Sequence, residues 1–332
     1  MAVVESWREQ RAGRIRLNRP RALNALDGEM VGLIRDAISD FRADPAVHCV
    51  LVDAPERGFC AGGDVRGLRA AGMAGQAGPI ADFFAAEYAM NLDIARFPKP
   101  FISLIDGVCM GGGVGLSVHG SHRVASETAV FAMPETAIAL FPDVGMSFVL
   151  PRFPGFTGYY FGLTGARVGG AQAVHAGFAT HFVESARFPD LAAAIVADGA
   201  AVIPGFAAPL PAPVLEREVI DRVFSAGSVL DMVHRLGAEP GLFAGKTLAA
   251  IRSASPLSVL WSFEILRRGA QLDLPAALAA ELALVRKVAV HPEFFEGVRS
   301  VLVDKDKWPK WQPATLEEVD PAAITAIFDG VP

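Results

Sequence analysis

The stretch "PFISLIDGVCMGGGVGLSVHG" (100–120) decides the fold of this chain. It opens as an apolar, β-branched run with the pattern of a buried strand, passes through a glycine cluster and continues into a helix start. The same order occurs upstream, where "HCVLVDA" (48–54) leads into "GFCAGGDVRGL" (58–68). Glycine permits close approach of a ligand to the backbone, and a helix N-terminus presents N–H groups with partial positive charge. Two such turns brought together aim a pair of amides at one oxygen, the arrangement that stabilises charge developing on a carbonyl. Neither turn is a phosphate loop, since no Gly-Lys-[Ser/Thr] follows, and neither gives the dinucleotide fingerprint in its setting. Asp64 reads as the cap of a helix beginning at Val65.

Around these turns the first half alternates strands with helices. "RIRL" near the start, "HRVASE" and "AVFAMP" after the second glycine turn, and "FATHFVE" (178–184) read as further strands. "EMVGLIRDAISDFRAD" (29–44) has the apolar spacing of an amphipathic helix, and "FFAAEYAMN" (83–91) is a helix with an aromatic core face. The four prolines of "AAVIPGFAAPLPAPVL" (200–215) read as a linker, beyond which "SVLDMVHRL", "GKTLAAIRSA", "PLSVLWSFEILRRGA" and "LPAALAAELALVRKVAV" are helical. The expected organisation is an α/β core over 1–204 and a helical region over 205–332.

With 332 residues, 52% hydrophobic and 20% charged, the chain has enough apolar material for a substantial core. A formal charge of −6 argues against nucleic acid as a partner. Cys49, Cys60 and Cys109 match neither a disulfide framework nor a metal spacing, so reduced thiols in a reducing, cytoplasmic compartment are expected. Strand-like sequence begins within the first twenty residues, and we expect no cleavable signal and no membrane span. No metal is expected: His119 and His122 lack an acidic partner or a third ligand nearby. Ser117 lacks the Gly-x-Ser-x-Gly setting of a nucleophile.

"FAMPETAIALFPDVG" (131–145) then places Glu135 and Asp143 in a segment that is otherwise apolar. The plain alternatives are a solvated turn for Glu135 and a helix cap for Asp143 over Val144–Leu150. We expect instead that both carboxylates serve a reactive carbonyl.

"LNRPRALNAL" (17–26), "FCAGGD" (59–64), "MGGGVGLSVHG" (110–120) and "MPETAIALFPDVG" (133–145) together resemble the crotonase, or enoyl-CoA hydratase/isomerase, superfamily. With "FFEGVRSVLVDKDKWPKWQPATLEEV" (294–319), the resemblance is strongest to its 3-hydroxyisobutyryl-CoA hydrolase branch and spans nearly the whole chain. It implies a spiral of ββα units followed by a helical C-terminal region that covers the acyl-CoA. By motif position it implies oxyanion donors at the N–H groups of Gly63 and Gly112, and adenine contacts from the backbone of Cys60, Ala61 and Gly62. Arg21, with Arg57 as a second candidate, falls where relatives place a basic residue near the CoA phosphates. Glu87 and Gly115 are candidates for the substrate pocket.

Hydratases of the superfamily carry a glutamate where this chain has Gly115, and a glycine where it has Asp143; their other glutamate corresponds to Glu135. The resemblance thus implies thioester hydrolysis of a short 3-hydroxyacyl-CoA, as in valine breakdown. Glu135 is then nucleophile or general base, and Asp143 orients the substrate hydroxyl or the water. The rivals are hydration or isomerisation of an enoyl-CoA, and acyl-CoA binding without turnover. Coenzyme A enters as part of the substrate with no further cofactor, and relatives suggest a trimer or a pair of trimers. Met146 and Ser147 stand where the hydrolase pattern has glycines, and they bear on the acyl preference. Trp308 and Trp311 are expected to pack the tail, with Lys305, Lys307 and Lys310 in a solvated turn.

Overall fold

The computed structural model describes residues 2–54 and 58–332, so Arg57 lies outside the described residues. Two compact units emerge, each drawn from separated stretches of chain: Met1–Gly63, Ala86–Ala132 and Arg167–Val214 in one, Asp64–Ala85, Met133–Ala166 and Leu215–Pro332 in the other.

The first unit holds the strands β1 (Val4–Glu9), β2 (Ala12–Leu17), β3 (Cys49–Asp53), β4 (Phe101–Ile105), β5 (Val108–Met110), β6 (His122–Ala125), β7 (Val130–Ala132), β8 (Val168–Gly169) and β9 (His181–Phe182). They form a six-stranded sheet in the order β1-β2-β3-β4-β6-β9 and a three-stranded sheet in the order β5-β7-β8. The β1–β2 hairpin is antiparallel, with Val4 opposite Leu17, and the rest of the larger sheet is parallel. Parallel strands are covered on both faces, which is why β3 and β4 read as continuous apolar runs rather than as alternation. On one face Cys49, Leu51, Ile102, Leu104 and Val124 pack against Leu191 and Ile195 of the helix Phe188–Asp198. The helix α1 (Gly28–Ala43) is capped by Asp27, whose carboxylate accepts from Met30 N, and buries Met30, Ile34, Ile38 and Phe41. Gly13 in β2 is a contact requirement, because a Cβ there would lie 2.5 Å from the Phe41 ring. The strand expected over 178–184 is only His181–Phe182, since just that much pairs with β6.

From Phe188 onward every element among the described residues is helical, including Ala200–Val202 and Ile203–Phe206 within the stretch read as a linker. In the second unit the helices Arg217–Phe224, Val229–Ala238, Leu242–Ser253 and Pro256–Gly269 share a core of Ile220, Phe224, Met232, Leu236, Ile251 and Val259. No helix of the described residues is long and apolar enough to cross a membrane. The tail departs from expectation in one respect. Trp311 donates its ring N–H to Ser253 O at 3.1 Å, but Trp308 stays 76% exposed. Asp306 and Arg299 hold the Trp308 backbone, and the indole is left projecting.

One polar residue organises the start of the first unit. Leu23 and Asn24 both adopt left-handed backbone, with φ of 49° and 54°, a conformation asparagine tolerates better than most residues. The buried Asn24 amide accepts from Arg19 N at 2.8 Å and donates to Gly58 O at 3.0 Å and Phe59 O at 3.1 Å. It therefore ties the first glycine turn to the β2–α1 connection. Asn24→Ala removes three partners at once and should lower the unfolding free energy by about 1–3 kcal/mol, read from denaturant melts of both proteins.

Candidate functional site

Main-chain pairing builds the amide pair of the first unit. Cys60 N donates to Val108 O at 2.9 Å and Met110 N donates to Cys60 O at 3.0 Å, so the first glycine turn runs as a short parallel strand beside β5. Ala61 N to Leu23 O at 3.0 Å and Leu26 N to Gly62 O at 2.7 Å fix its other side. Gly62 has φ of +108°, and a Cβ there would meet Met110 O at 3.2 Å. After β5, Gly111 turns the chain with φ of 49° into α4 (Gly112–Val118), whose first N–H groups have no intrahelical acceptor. A Cβ on Gly113 would lie 2.3 Å from Cys60 O, and one on Gly112 would lie 3.2 Å from Gly63 N. The glycines are thus required for backbone-on-backbone contact, and that contact brings the Gly63 and Gly112 amides together.

Glu87 of α3 (Ala77–Ala95) is 2% exposed, and its Oε1 would be 2.3 Å from a Cβ on Gly112. The helix 83–91 exists as predicted, with Phe83, Phe84 and Tyr88 buried, and its one acidic side chain is turned onto the second glycine turn. Cys60 is buried; its thiol donates to Asn24 O at 3.1 Å, and burial pushes its pKa up to about 12. Only its backbone is therefore available to a ligand. Gly115 is buried within α4. Arg21 is exposed in the 3-10 turn Pro20–Ala22. Asp64 caps α2 (Val65–Met73), accepting from Gly67 N at 3.3 Å. Ser117 Oγ donates back to Gly113 O and Val114 O within its own helix, and His122 stacks on His181 at 5.8 Å.

Glu135 and Asp143 belong to the second unit. Glu135 begins the 3-10 turn Glu135–Ile138 directly after Pro134 and is 7% exposed; Asp143 is 5% exposed. Neither is a solvated turn residue. Gly145, not Asp143, is the N-cap of α5 (Met146–Val149), and Met146 N bonds the Asp143 carbonyl at 2.9 Å. Helices from the C-terminal region grip this segment along its length. Ser255 N donates to Thr136 O at 3.2 Å, and Ser258 Oγ donates to Leu140 O. Gly297 packs flat on Ile138, where a Cβ would come within 2.6 Å of Ile138 Cα.

The grip includes a residue that motif reading missed. Glu281, fully buried in the helix Leu274–Val288, accepts from Gly145 N at 2.7 Å, from Ser147 N at 2.9 Å and from Ser147 Oγ. Burial, reinforced by the Asp143 charge, pushes its carboxyl pKa up to about 8 against the opposing pull of those donors. The signal was present in the sequence: Ala277, Leu278, Glu281, Leu284, Val285 and Val288 fall on one buried stripe, so the glutamate stands at a core position of an apolar helix.

Residues 12–328 match the family model described as enoyl-CoA hydratase/isomerase. The chain belongs to that family. Among its relatives, the mitochondrial 3-hydroxyisobutyryl-CoA hydrolase of Xenopus tropicalis is 42% identical over 332 residues, covering 96% of this chain and 86% of the relative. The 3-hydroxyisobutyryl-CoA hydrolase 1 of Arabidopsis thaliana is 39% identical over 334 residues, covering 95% and 88%. Of solved structures, a carnitinyl-CoA dehydratase from Mycobacterium thermoresistibile superposes with a TM-score of 0.94 at 37% identity, over 99% of this chain and 96% of its own. An enoyl-CoA hydratase from Rhodobacter sphaeroides 2.4.1 gives 0.90 at 41%, over 98% and 97%. The fold is that of the crotonases, as the motifs imply.

Glu281 makes stability depend on pH with a definite sign. Its ordinary pKa is 4.5, and in the fold it is raised to about 8. Between those values the native state holds a proton that the unfolded chain has released, so this contribution falls as pH rises from about 5 to about 8 and is constant above. Glu281→Gln removes the titration. The difference in unfolding free energy, wild type minus variant, should decline across that window, by up to about 1.4 kcal/mol per pH unit, in melts run at matched ionic strength.

Proposed function

We propose that this chain hydrolyses the thioester of 3-hydroxyisobutyryl-CoA, or of a similar short 3-hydroxyacyl-CoA, to the free acid and CoA. The observation that carries the reading is the buried carboxylate pair Glu135 and Asp143 in a chain that has Gly115 where hydratases of the family carry their second glutamate. Relatives named as hydrolases support it over most of their length.

Thioester hydrolysis needs a nucleophile, stabilisation of the oxyanion and a leaving group. A simple thiol has a pKa of roughly 8.5, so a CoA-like thiolate departs readily near neutrality and the demanding steps are the first two. The N–H groups of Gly63 and Gly112 take the developing oxyanion, and one such donor is worth about 3–4 kcal/mol. Glu135 acts on the carbonyl carbon, either directly, forming a mixed anhydride and expelling the thiolate, or through a water whose proton it accepts. In the direct route water then attacks the anhydride and returns Glu135 as carboxylate. Asp143 orients the 3-hydroxyl or the hydrolytic water. The Cys60–Gly62 backbone and Arg21 bind the CoA moiety, and Glu87 and Gly115 line the acyl end. CoA arrives with the substrate, and no other cofactor takes part. The three thiols are free and buried, which supports a reducing compartment; we assign it to the cytoplasm, although the animal relatives are named as mitochondrial. By family likeness the chain assembles into trimers or pairs of trimers.

Purified protein should release thiol from 3-hydroxyisobutyryl-CoA, and Glu135→Gln should lower kcat by about 10²–10⁴-fold without loss of the folded circular dichroism spectrum. Near-wild-type turnover in that variant would remove Glu135 from the reaction. Loss of crotonyl-CoA conjugation without thiol release would reassign the chain to hydration.

A further inference from the structure

We infer that Glu281 is a positioning residue for Asp143, holding the strained turn on which that carboxylate is mounted. This rests on the thioesterase reading above and deepens it. Val144 and Gly145, which follow Asp143 directly, both have positive φ, 53° and 83°. Glycine accepts that conformation freely, but a β-branched valine does so only when its surroundings over-determine it. The surroundings here are the Met146 N to Asp143 O bond and the Glu281 carboxyl, which takes both backbone N–H groups flanking Met146. The Ser147 hydroxyl supplies the third donor and fixes the orientation of the carboxyl. Ser147 thus serves the turn, at a position where the hydrolase pattern has glycine.

Charge couples the two acids as well. Asp143 bears directly on Glu281, whereas Gly145 N, Ser147 N and Ser147 Oγ reach it as neutral donors. Other ionisable groups on the elements packed against the Glu281 helix are engaged elsewhere. Glu264, Arg267 and Arg268 of the helix Pro256–Gly269 pair with one another, and Arg152, after α5, donates to the carbonyls of Phe148, Gly269 and Leu272. On its own helix Lys287 donates to Ile327 O and Asp329 O. With its carboxyl pushed up to about 8 by burial, Glu281 stays protonated near neutrality.

The test is a double-mutant cycle with full-length protein, measuring thiol release from 3-hydroxyisobutyryl-CoA. Glu281→Gln keeps the volume but sets an NH₂ group against one of the backbone N–H donors. We expect kcat to fall 10- to 100-fold with KM changed less than threefold, and the ionisation near pH 8 to vanish from the kcat profile. In an Asp143→Asn background the same change should alter kcat less than threefold, because there is no longer an Asp143 carboxylate to hold. Ser147→Ala, which removes one donor and leaves the fold, should lower kcat three- to tenfold, again only while Asp143 is present; it carries the test if Glu281→Gln does not fold. Multiplicative losses in both backgrounds, or an unchanged kcat in Glu281→Gln, would overturn the positioning role while thiol release by the wild type stands. A wild type that releases no thiol from the substrate would overturn the thioesterase reading itself and the positioning role with it, a result distinct from the other two.

Discussion

The short main-chain pairing between Cys60 and β5 is the contact on which the amide pair depends. Two bonds, Cys60 N to Val108 O and Met110 N to Cys60 O, lock one glycine turn against the other. Everything nearby serves that contact. Asn24 holds the far side of the first turn, Gly62 and Gly113 remove the side chains that would force the backbones apart, and α4 starts where the second turn ends. A side chain can shift by rotating about its own bonds, whereas these amides move only if the sheet moves. That rigidity is what electrostatic stabilisation requires, since donors already in place need no reorganisation as charge develops.

The carboxylates are held by a different device. Glu135 and Asp143 sit on a segment with almost no regular structure, and the C-terminal helices supply the missing backbone partners through Ser255, Ser258 and Glu281. The long helical region is thus more than added bulk, because it pins an irregular segment that bears two buried carboxylates. The solved relatives named as a dehydratase and a hydratase share this frame at 37% and 41% identity. A common frame does not choose among acyl-CoA reactions; the proposed function assigns that choice to the residues at 115, 135 and 143.

Much of this was legible in the sequence, and the gaps have physical causes. β3, β4 and α1 were readable because buried parallel strands and an amphipathic helix leave strong apolar patterns. The glycine turns were readable because glycine there answers a steric demand. The short β9 was overestimated, because strand length is set by pairing with β6 and not by local preference. Trp308 was assigned to packing because indoles are usually buried, yet the polar bonds of its own loop hold it out. Asn24 and Glu281 escaped notice for a shared reason: each matters through backbone groups far away in sequence, and backbone groups leave no letter to read. The amphipathic stripe of Leu274–Val288 did contain one letter out of place.

The proposed use of peptide amides as the oxyanion donors has a kinetic corollary. A peptide N–H has no proton to lose over the working range of an enzyme, so the part of the proposed machinery assigned to Gly63 and Gly112 is silent to acidity. A bend in a rate–pH curve therefore reports on titrating side chains or on the substrate, and not on these amides. Buffer composition becomes a selective probe of one half of the chemistry, with the other as a constant background.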